Sequence, residues 1–540
     1  MLQIMEKSQK RNRVSSIVAK GLSLSVLTLV SRILGLIREV TKAKFLGTSA
    51  LSDAFGIAFQ VPNFMRRLFA ENSVSVAFIP TFKSYLESSS TEDGKKSTQE
   101  FVNATFTLLT FLTVVFVSLG MIFTPLIIKI FFKETSGIAY DEAVILTRIM
   151  FPYLIVISIA ALFQGILNAL KIFSPSGFTP ILFNAIVIAF TYILAPYTTN
   201  PARAMAIGVI TGGTIQAAFQ LPFVLKQNWR VGFTSLKKAF TNPGTRTVLR
   251  LIGPTIIGMS AYQLNDLVSS TLATHVGDGV YSSLQYSLRL QELILGICAV
   301  TIGTVILPDL TGFARRNEWE HFNRMLTQSI RIMALIAIPI TFYSLLMGQD
   351  IIALVFQTGQ FNEQSIQMTL QVFKCHMIGL FFIAVNRIVS PAFYAQQDTK
   401  SPTLAGLINF ALNIVLAVIL VKPLKGAGIA LALSIASMVN MIMLFVFLHK
   451  TPTIDVKSVV LKSLGYAVKM AIFSLIASIP VYFLKDKVQA LFIGHGRLIS
   501  NGLPVLITVL IFATVGVALL FITRDPLVKT LLRKEETNGK

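Results

Sequence analysis

The sequence predicts an all-α polytopic membrane protein with about fourteen transmembrane helices. The chain has 540 residues, of which 54% are hydrophobic and only 13% are charged, and its mean hydropathy of +0.70 lies above the range of ordinary soluble domains. Apolar runs of about 20 residues, long enough to cross a bilayer as helices, recur between polar breaks. Parts of the sequence also resemble one another at a nearly constant separation.

Each of the fourteen segments is an apolar run bounded by charged or turn-forming residues. In chain order they are 21–46, 53–84, 101–132, 142–170, 176–197, 203–225, 248–275, 279–308, 326–348, 366–395, 401–421, 426–449, 462–484 and 499–523. The basic N-terminus at 1–20 leads into segment 1 without a small-residue cleavage site, so segment 1 is predicted to remain in the mature protein.

The net charge of +22 is better explained by membrane topology than by nucleic acid binding. The connection at 226–247 is basic and contains no acid, and basic residues also gather at both termini and between segments 8 and 9. Because cytoplasmic loops are enriched in Lys and Arg, this pattern predicts that 226–247, the N-terminus and the tail at 524–540 are cytoplasmic. Anionic lipid headgroups are a further expected contact for this charge.

The internal repeat predicts two parallel six-helix units. Four pairs of residues match at nearly the same distance along the chain. They are Gly47 and Gly277, 230 residues apart; Pro80 and Pro308, 228 apart; Pro175 and Pro402, 227 apart; and Asn184 and Asn409, 225 apart. The halves are 21–225 and 248–449, joined by the linker 226–247, and two extra helices follow at 450–523. Six helices per repeat give both halves the same orientation, an architecture typical of transporters with a pathway between repeats.

Segment 1 carries charge on one face. Read as a helix, its residues within roughly 120° of Arg32 are polar or small. They are Ser31, Gly35, Arg38, Glu39 and Lys42. A charge facing lipid costs several kcal/mol, so we expect this face to line a hydrated cavity or to meet partner charges. Lys42 and Lys44 are close enough to a helix end to reach the interface instead.

Segments 2 and 8, which correspond in the repeat, also have polar faces. In segment 2 the face comprises Gln60, Asn63, Arg66, Arg67 and Glu71, and in segment 8 it comprises Tyr281, Gln285, Arg289, Glu292 and Gly296. The pairs Arg67–Glu71 and Arg289–Glu292 are spaced so that they could be purely structural ion pairs. Excess guanidinium in a cavity otherwise favours an anion, and its forked donors match phosphate oxygens.

Several motifs resemble the MurJ (MviN) family of lipid II flippases, in the MOP transporter superfamily. The motifs are "SRILGLIRE", "SDAFGIAFQVPNFMRRLFAENSVSVAFIPTF", "FPYLIVISIAALFQGILNAL", "GTVILPDL" and "PAFYAQQDTKSP". The resemblance spans about residues 15–450 and is most specific in segments 1 and 2. It implies an inner-membrane protein that moves undecaprenyl-diphosphate-linked peptidoglycan precursor to the periplasmic leaflet by alternating access.

The resemblance also implies roles for individual residues. The cavity arginines of the family correspond to Arg32, Arg38, Arg66 and Arg289, and their acidic partners to Asp53, Glu71 and Glu292. The two final helices are expected to line a groove for the lipid tail. Many relatives have an acid just after the "QLN" stretch of segment 7, where this chain has Ser269 and an earlier acid, Asp266.

A cation site is a weaker prediction from the residues. Asp266 on segment 7 and the pair Asn409 and Asn413, spaced i,i+4 on segment 11, supply oxygen ligands suited to Na⁺. Hydrogen bonding between helices is the competing interpretation. Cys298, Cys375 and His376 form no metal-ligand or disulfide pattern, and His376 is interpreted as a packed helix residue.

No catalytic arrangement or P-loop stands out, so the sequence predicts a transporter, not an enzyme, with no cofactor. Coupling to the membrane potential or an ion gradient is then the expected energy source. The expected partners are lipid II or a related polyprenyl-diphosphate-linked sugar, membrane lipids and the cell-wall synthesis machinery, but not nucleic acid. The alternatives are a flippase for another polyprenyl-linked saccharide, a MOP small-molecule antiporter, and a non-transporting scaffold. Arginines predominate over acids in the predicted cavity, which disfavours an antiporter for cationic drugs.

Overall fold

The computed structural model describes residues 26–67, 74–134, 137–451 and 453–527, and no β-strand occurs among them. The chain divides into two compact units, Met1–Leu267 and Val268–Lys540. The all-helical prediction is confirmed. Glu71, one of the predicted charge partners, lies outside the described residues.

The first unit contains eleven helices within those residues, the last of which extends past the unit boundary. They are α1 (26–46), α2 (Ala50–Met65), α3 (Ile79–Ser88), α4 (Glu92–Ile122), α5 (Thr124–Lys129), α6 (Ile138–Met150), α7 (Tyr153–Ala169), α8 (Ser174–Leu194), α9 (Pro201–Lys226), α10 (Leu236–Thr241) and α11 (Pro243–Thr274). A π-helical turn, Val74–Phe78, precedes α3.

The second unit continues with six long helices in its described part. They are α12 (Val280–Arg315), α13 (Trp319–Phe356), α14 (Glu363–Tyr394), α15 (Lys400–His449), α16 (Val456–Ala490) and α17 (Arg497–Ile522). Several helices of both units begin at a side-chain cap, which satisfies backbone N–H groups that the first turn leaves without partners. These caps are Ser49, Thr91, Asn200, Asn362 and Asp455.

Every predicted segment overlaps a helix of the described chain, and the differences lie at breaks and ends. Segments 11 and 12 are the two parts of α15, which bends where Lys425 adopts φ 50° and ψ −130°. Gly428 belongs to this bend, because a Cβ there would lie 2.1 Å from the carbonyl oxygen of Leu420. Segment 3 is longer than predicted and is interrupted at Phe123, just before Pro125.

In the described part of the chain, nine helices are long and apolar enough to cross a membrane. This count takes α15 as one helix and joins α6 and α7 in a single span, Ala139–Ala169. It omits α1, whose described residues include four charges within two turns. The protein is therefore a multi-pass membrane protein, and fourteen crossings stay a prediction.

The last two helices pack on α13 and expose apolar surface. Tyr343 of α13 donates a hydrogen bond to the Val505 carbonyl oxygen of α17 at 2.9 Å. Along α16, apolar side chains that are more than half exposed recur every three or four residues, as expected for a face in lipid. They are Leu461, Leu464, Val468, Ile472, Leu475 and Ile479.

Candidate substrate-binding site

The C-terminal half of helix α1 presents its charged face to the protein, while apolar side chains on the other side of the helix are exposed. Glu39 and Lys42 are 8% and 6% exposed, whereas Leu29 and Ile33 are 59% and 50% exposed. The helical phase of the sequence predicts this division, because the two sets lie on opposite sides of the helix. The buried charges are therefore shielded from lipid by the rest of the first unit.

Arg38 is held by groups from three helices. Its Nη1 donates to Asn184 Oδ1 of α8 at 3.1 Å, and its Nη2 donates to Glu39 Oε1 at 2.8 Å. The guanidinium also lies 5.8 Å from the ring centroid of Phe59 on α2 and 5.9 Å from that of Phe183 on α8. Charge-assisted hydrogen bonds and aromatic faces compensate a guanidinium that has left water. Arg38 thus has a fixed position, with two of the five N–H donors of its guanidinium used in these hydrogen bonds.

Asn184 also binds the backbone of α1. Its Nδ2 donates to the carbonyl oxygen of Ser31 at 3.4 Å, and it lies 3.7 Å from the position that a Cβ on Gly35 would occupy. A small residue at 35 therefore allows α8 to approach α1 closely. This one amide fixes α1 through both a side chain and a carbonyl group.

Arg32 differs from Arg38 in its surroundings. It lies six residues earlier on α1, and its side chain is exposed. Among the described residues, the two arginines of "SRILGLIRE" thus divide into an exposed one and a half-buried one.

Two more predicted residues, Arg66 and Arg67, lie at the C-terminal end of α2 in the first unit. Arg66 Nε donates to Asn63 Oδ1 at 3.0 Å, one turn earlier. Arg67 Nη1 lies 3.4 Å from Gln263 Oε1 and 3.7 Å from Asp266 Oδ2, both on α11. Arg67 therefore has an acidic neighbour on α11, which the sequence analysis did not assign to it.

Two further predicted acids have distinct environments. Asp53 of α2 is only 2% exposed. Asp266, the predicted cation ligand, is an exposed residue beside Arg67, and its side chain is 51% exposed. The guanidinium already supplies positive charge to this carboxylate.

In the second unit, Arg289 and Glu292 form the i,i+3 ion pair that the sequence predicts. Arg289 Nη1 lies 2.9 Å from Glu292 Oε2, and the two side chains are 45% and 58% exposed. A pair this exposed contributes little to stability. Asn413 of α15 is buried, and Asn409 lies one turn before it, partly buried.

His376 packs inside the second unit, in agreement with its interpretation as a packed residue. Its Nδ1 lies 2.6 Å from Ser287 Oγ, and Gln291 donates to its carbonyl oxygen at 2.6 Å. Both partners are on α12, so this group joins α12 to α14.

The motif "PAFYAQQDTKSP" forms the turn between α14 and α15. Asp398 accepts hydrogen bonds from the backbone N–H groups of Lys400 and Ser401 at 2.9 and 3.0 Å. Partial burial raises the pKa of Asp398, but the hydrogen bonds from Ser401 and Lys400 outweigh this effect and lower the pKa overall. The carboxylate stabilises the first turn of α15, which gives this motif a structural role.

Glu39 and Glu292 were predicted as charge partners, but the uncharged partners of Arg38 and Arg67 were not. Asn184, Phe59, Phe183 and Gln263 were not predicted as site residues. Asn184 had one available signal, since it is a polar residue in an apolar helix with a counterpart, Asn409, in the repeat. The aromatic partners carried no comparable signal.

The fold defines the class of protein. The structure resembles a solved multidrug resistance MATE family transporter of the MOP superfamily in an inward-facing conformation, with a TM-score of 0.63 and 13% identity over 81% of this chain and 98% of that one. This likeness shows that the chain has the fold of the MOP superfamily transporters.

The family follows from closer matches. The profile of the family described as "Lipid II flippase MurJ" matches residues 42–502. A probable lipid II flippase MurJ of Treponema pallidum is 45% identical over 521 residues, which are 96% of this chain and 98% of the relative. A solved lipid II flippase MurJ in an inward closed conformation has a TM-score of 0.75 and 26% identity, covering 93% of this chain and 99% of that one. The chain belongs to the MurJ family.

Proposed function

We propose that this protein is a lipid II flippase, which moves the undecaprenyl-diphosphate-linked peptidoglycan precursor from the cytoplasmic to the periplasmic leaflet of the bacterial inner membrane by alternating access. The observation that carries the proposal is the guanidinium-bearing face of α1. A membrane helix retains such charge when it serves a polar or anionic cargo. The near full-length match to relatives named as lipid II flippases supports the same cargo.

Arg32, Arg38, Arg66 and Arg289 are the proposed ligands of the diphosphate. Forked guanidinium donors pair with phosphate oxygens in a way that a lysine ammonium does not reproduce. Arg32 and Arg289 are exposed and can reorient toward a headgroup. Arg38 is held by Asn184 and Glu39, so it acts from a fixed position. Glu39, Asp53, Arg67, Glu71 and Glu292 are the proposed charge partners.

Transport requires no bond to be made or broken, so the protein is proposed to be a transporter without catalytic residues or cofactor. The cargo is anionic, and an inside-negative membrane potential favours outward movement of negative charge. Each unit charge crossing the field gains about 2.3 kcal/mol per 100 mV. The potential, alone or with an ion gradient, is therefore the proposed energy source.

Both termini and the linker 226–247 are proposed to be cytoplasmic, because the linker contains six basic residues and no acid when counted with its flanks from Lys226 to Arg250. Single cysteines placed in 226–247 should resist a membrane-impermeant thiol reagent in intact cells, while cysteines at 350–362 should react. Labelling of cysteines in 226–247 from outside the cell would show that the proposed orientation is wrong.

Depletion of the protein in its host tests the cargo directly. Lipid II should accumulate in the cytoplasmic leaflet, and a plasmid copy of the parent sequence should restore the normal level. Accumulation of a different polyprenyl-linked saccharide would instead identify the alternative flippase. In proteoliposomes, purified protein should make added lipid II accessible from the opposite leaflet, whereas liposomes without protein should not.

A further inference from the structure

The linker after α9 is fixed along α4 by a regular ladder of hydrogen bonds. Asn103 Oδ1 accepts from the N–H of Gly232 at 3.2 Å, and Thr107 Oγ1 accepts from the N–H of Thr234 at 2.9 Å. One turn earlier, Gln99 Oε1 accepts from the N–H of Arg230 at 3.1 Å, and Gln99 Nε2 donates to the Arg230 carbonyl oxygen. Four helical residues rise about 6 Å, and two extended residues span nearly the same length. The i,i+4 spacing on α4 therefore matches alternate residues of the linker.

The short helix α10 follows this ladder and also packs on α4. Ser235 caps it by accepting from the N–H of Lys238 at 3.3 Å. Ala239 is fully buried in a cluster with Ala104 and Leu108 of α4. After α10, Thr245 Oγ1 donates to the Ala239 carbonyl oxygen at 2.6 Å. The segment 230–241 is thus built into the first unit on one side.

Large apolar side chains of this segment remain exposed beside cations, although the rings of Phe233 and Phe240 also lie 5.0 and 6.2 Å from those of Phe106 and Phe111 on α4. Phe233, Leu236 and Phe240 are 72%, 43% and 41% exposed. Lys237 and Lys238 lie between them and are also exposed. This combination of aromatic and basic side chains is typical of segments that lie in a membrane interface.

The charged side chains of this segment and its flanks are all basic. From Lys226 to Arg250 the chain has six basic residues and no acid. The acids of the neighbouring α4, Glu92, Asp93 and Glu100, lie in its first turns together with Lys95 and Lys96. The ladder residues 99–107 span the point where α4 changes from charged to apolar, which is the depth of lipid headgroups.

From this geometry we infer that the exposed face of 230–241 binds anionic phospholipid headgroups of the cytoplasmic leaflet, with Phe233, Leu236 and Phe240 in the outer acyl region and Lys237 and Lys238 at the phosphates. We call this surface the linker face, and its binding of phospholipid is separate from the proposed transport function. It accounts for apolar side chains that stay exposed although the backbone beside them is firmly held.

Brominated lipids provide a direct test with the full-length protein in nanodiscs. Phe233→Trp places an indole on the linker face, and the parent protein, with its two tryptophans, supplies the background emission. Brominated phosphatidylglycerol in phosphatidylcholine should quench the added emission more strongly than brominated phosphatidylcholine at the same mole fraction. Adding Lys237→Gln with Lys238→Gln should weaken the apparent phosphatidylglycerol affinity about thirtyfold.

A second lysine pair supplies the matched control. Lys95→Gln with Lys96→Gln removes the same charge from exposed positions on α4, beside acids and away from Phe233, and should change the affinity less than about threefold. Lys237→Arg with Lys238→Arg keeps the positive charge and should bind phosphatidylglycerol like the protein with both lysines. Such binding would show that substitution at these two positions does not by itself disrupt the fold. Equal quenching by the two lipids, or equal effects of the two glutamine pairs, would overturn the inference. Absence of quenching by both lipids would also overturn it, because the face would then be outside the bilayer.

Discussion

The two repeats keep an asparagine at the same place but surround it differently. In the first unit, Asn184 of α8 accepts a hydrogen bond from Arg38 at 3.1 Å. In the second, the Oδ1 atom of its counterpart Asn409 is buried and has no hydrogen-bond partner within the part of the chain that the structure describes. Gly47 and Gly277 are 230 residues apart, and the same offset aligns Arg38 of the first repeat with Val268 of the second. The first repeat therefore has a guanidinium where the second has an aliphatic side chain.

This difference shows how a duplicated scaffold acquires a charged site in one half. The amide is common to both repeats in the sequence, so the difference lies in the residue that aligns with Arg38. The cavity arginine predicted for the second unit is Arg289 on α12, which is 45% exposed and paired with Glu292. The first unit thus holds a cation in a fixed, half-buried position, and the second presents one on an exposed helix face.

Removing Arg38 should have the largest effect. Arg38→Ala removes this guanidinium from the buried Glu39 and the donor from Asn184, and loss of a hydrogen bond to a charged group costs about 1.5–3 kcal/mol. We expect a marked loss of thermal stability in detergent together with loss of lipid II transport. Arg38→Lys should retain part of the stability but little of the transport, because the forked geometry is lost. Parent-like melting and transport by Arg38→Ala would refute the described network.

The asparagine pair gives the most direct comparison of the repeats. Asn184→Leu leaves the Arg38 Nη1 group without an acceptor and should cost about 1–3 kcal/mol of stability. Asn409→Leu removes an oxygen that accepts no described hydrogen bond, and should be neutral or slightly stabilising. Thermal unfolding of the two variants under identical conditions measures the difference. Equal destabilisation would show that the two amides have equivalent roles.

Arg289→Ala should separate stability from binding. The pair with Glu292 is exposed, so stability should change by no more than about 0.5 kcal/mol. Lipid II affinity should nevertheless fall about ten- to hundredfold if Arg289 contacts the diphosphate. Binding to protein in nanodiscs, measured beside the melting temperature, distinguishes the two effects. Unchanged affinity would show that Arg289 does not contribute to binding of the diphosphate.

Asp266→Ala should have the smallest effect. If Asp266, Asn409 and Asn413 contribute to a sodium site, the variant should alter the sodium dependence of transport. The nearby Arg67 guanidinium competes for the same carboxylate, at 3.7 Å, so a small change is expected. Asp278→Ala, which removes an exposed acid from the next loop, is the control. Identical sodium dependence in the parent and both variants would eliminate Asp266 from such a site.

Periodicity and local breaks predicted much of the fold. The bend of α15 lies at Lys425, between the predicted ends at 421 and 426, because Pro423, Gly426 and Gly428 disfavour a straight helix there. Helix α10 was not predicted, since six residues show no useful periodicity and its stability depends on the Ser235 cap and on burial of Ala239 against α4.

The candidate site was less predictable than the fold. Helical phase identified the charged face of α1, because that face follows from residue spacing alone. The Arg38–Asn184 hydrogen bond joins residues that are 146 positions apart, and spacing along one helix contains no information about a partner on another. Arg67 was paired in sequence with Glu71 at i,i+4, and spacing along one helix did not indicate that Asp266 of α11 lies near it.

Arg32 provides the most direct test of whether the guanidinium groups of α1 bind the cargo. Its side chain is exposed, so Arg32→Ala should fold and melt like the parent, unlike Arg38→Ala. The measurement is equilibrium binding of lipid II to the Arg32→Ala protein in nanodiscs. Loss of a charged hydrogen bond predicts about ten- to hundredfold weaker binding, with partial recovery in Arg32→Lys. Parent-like affinity in a correctly folded Arg32→Ala protein would contradict the account.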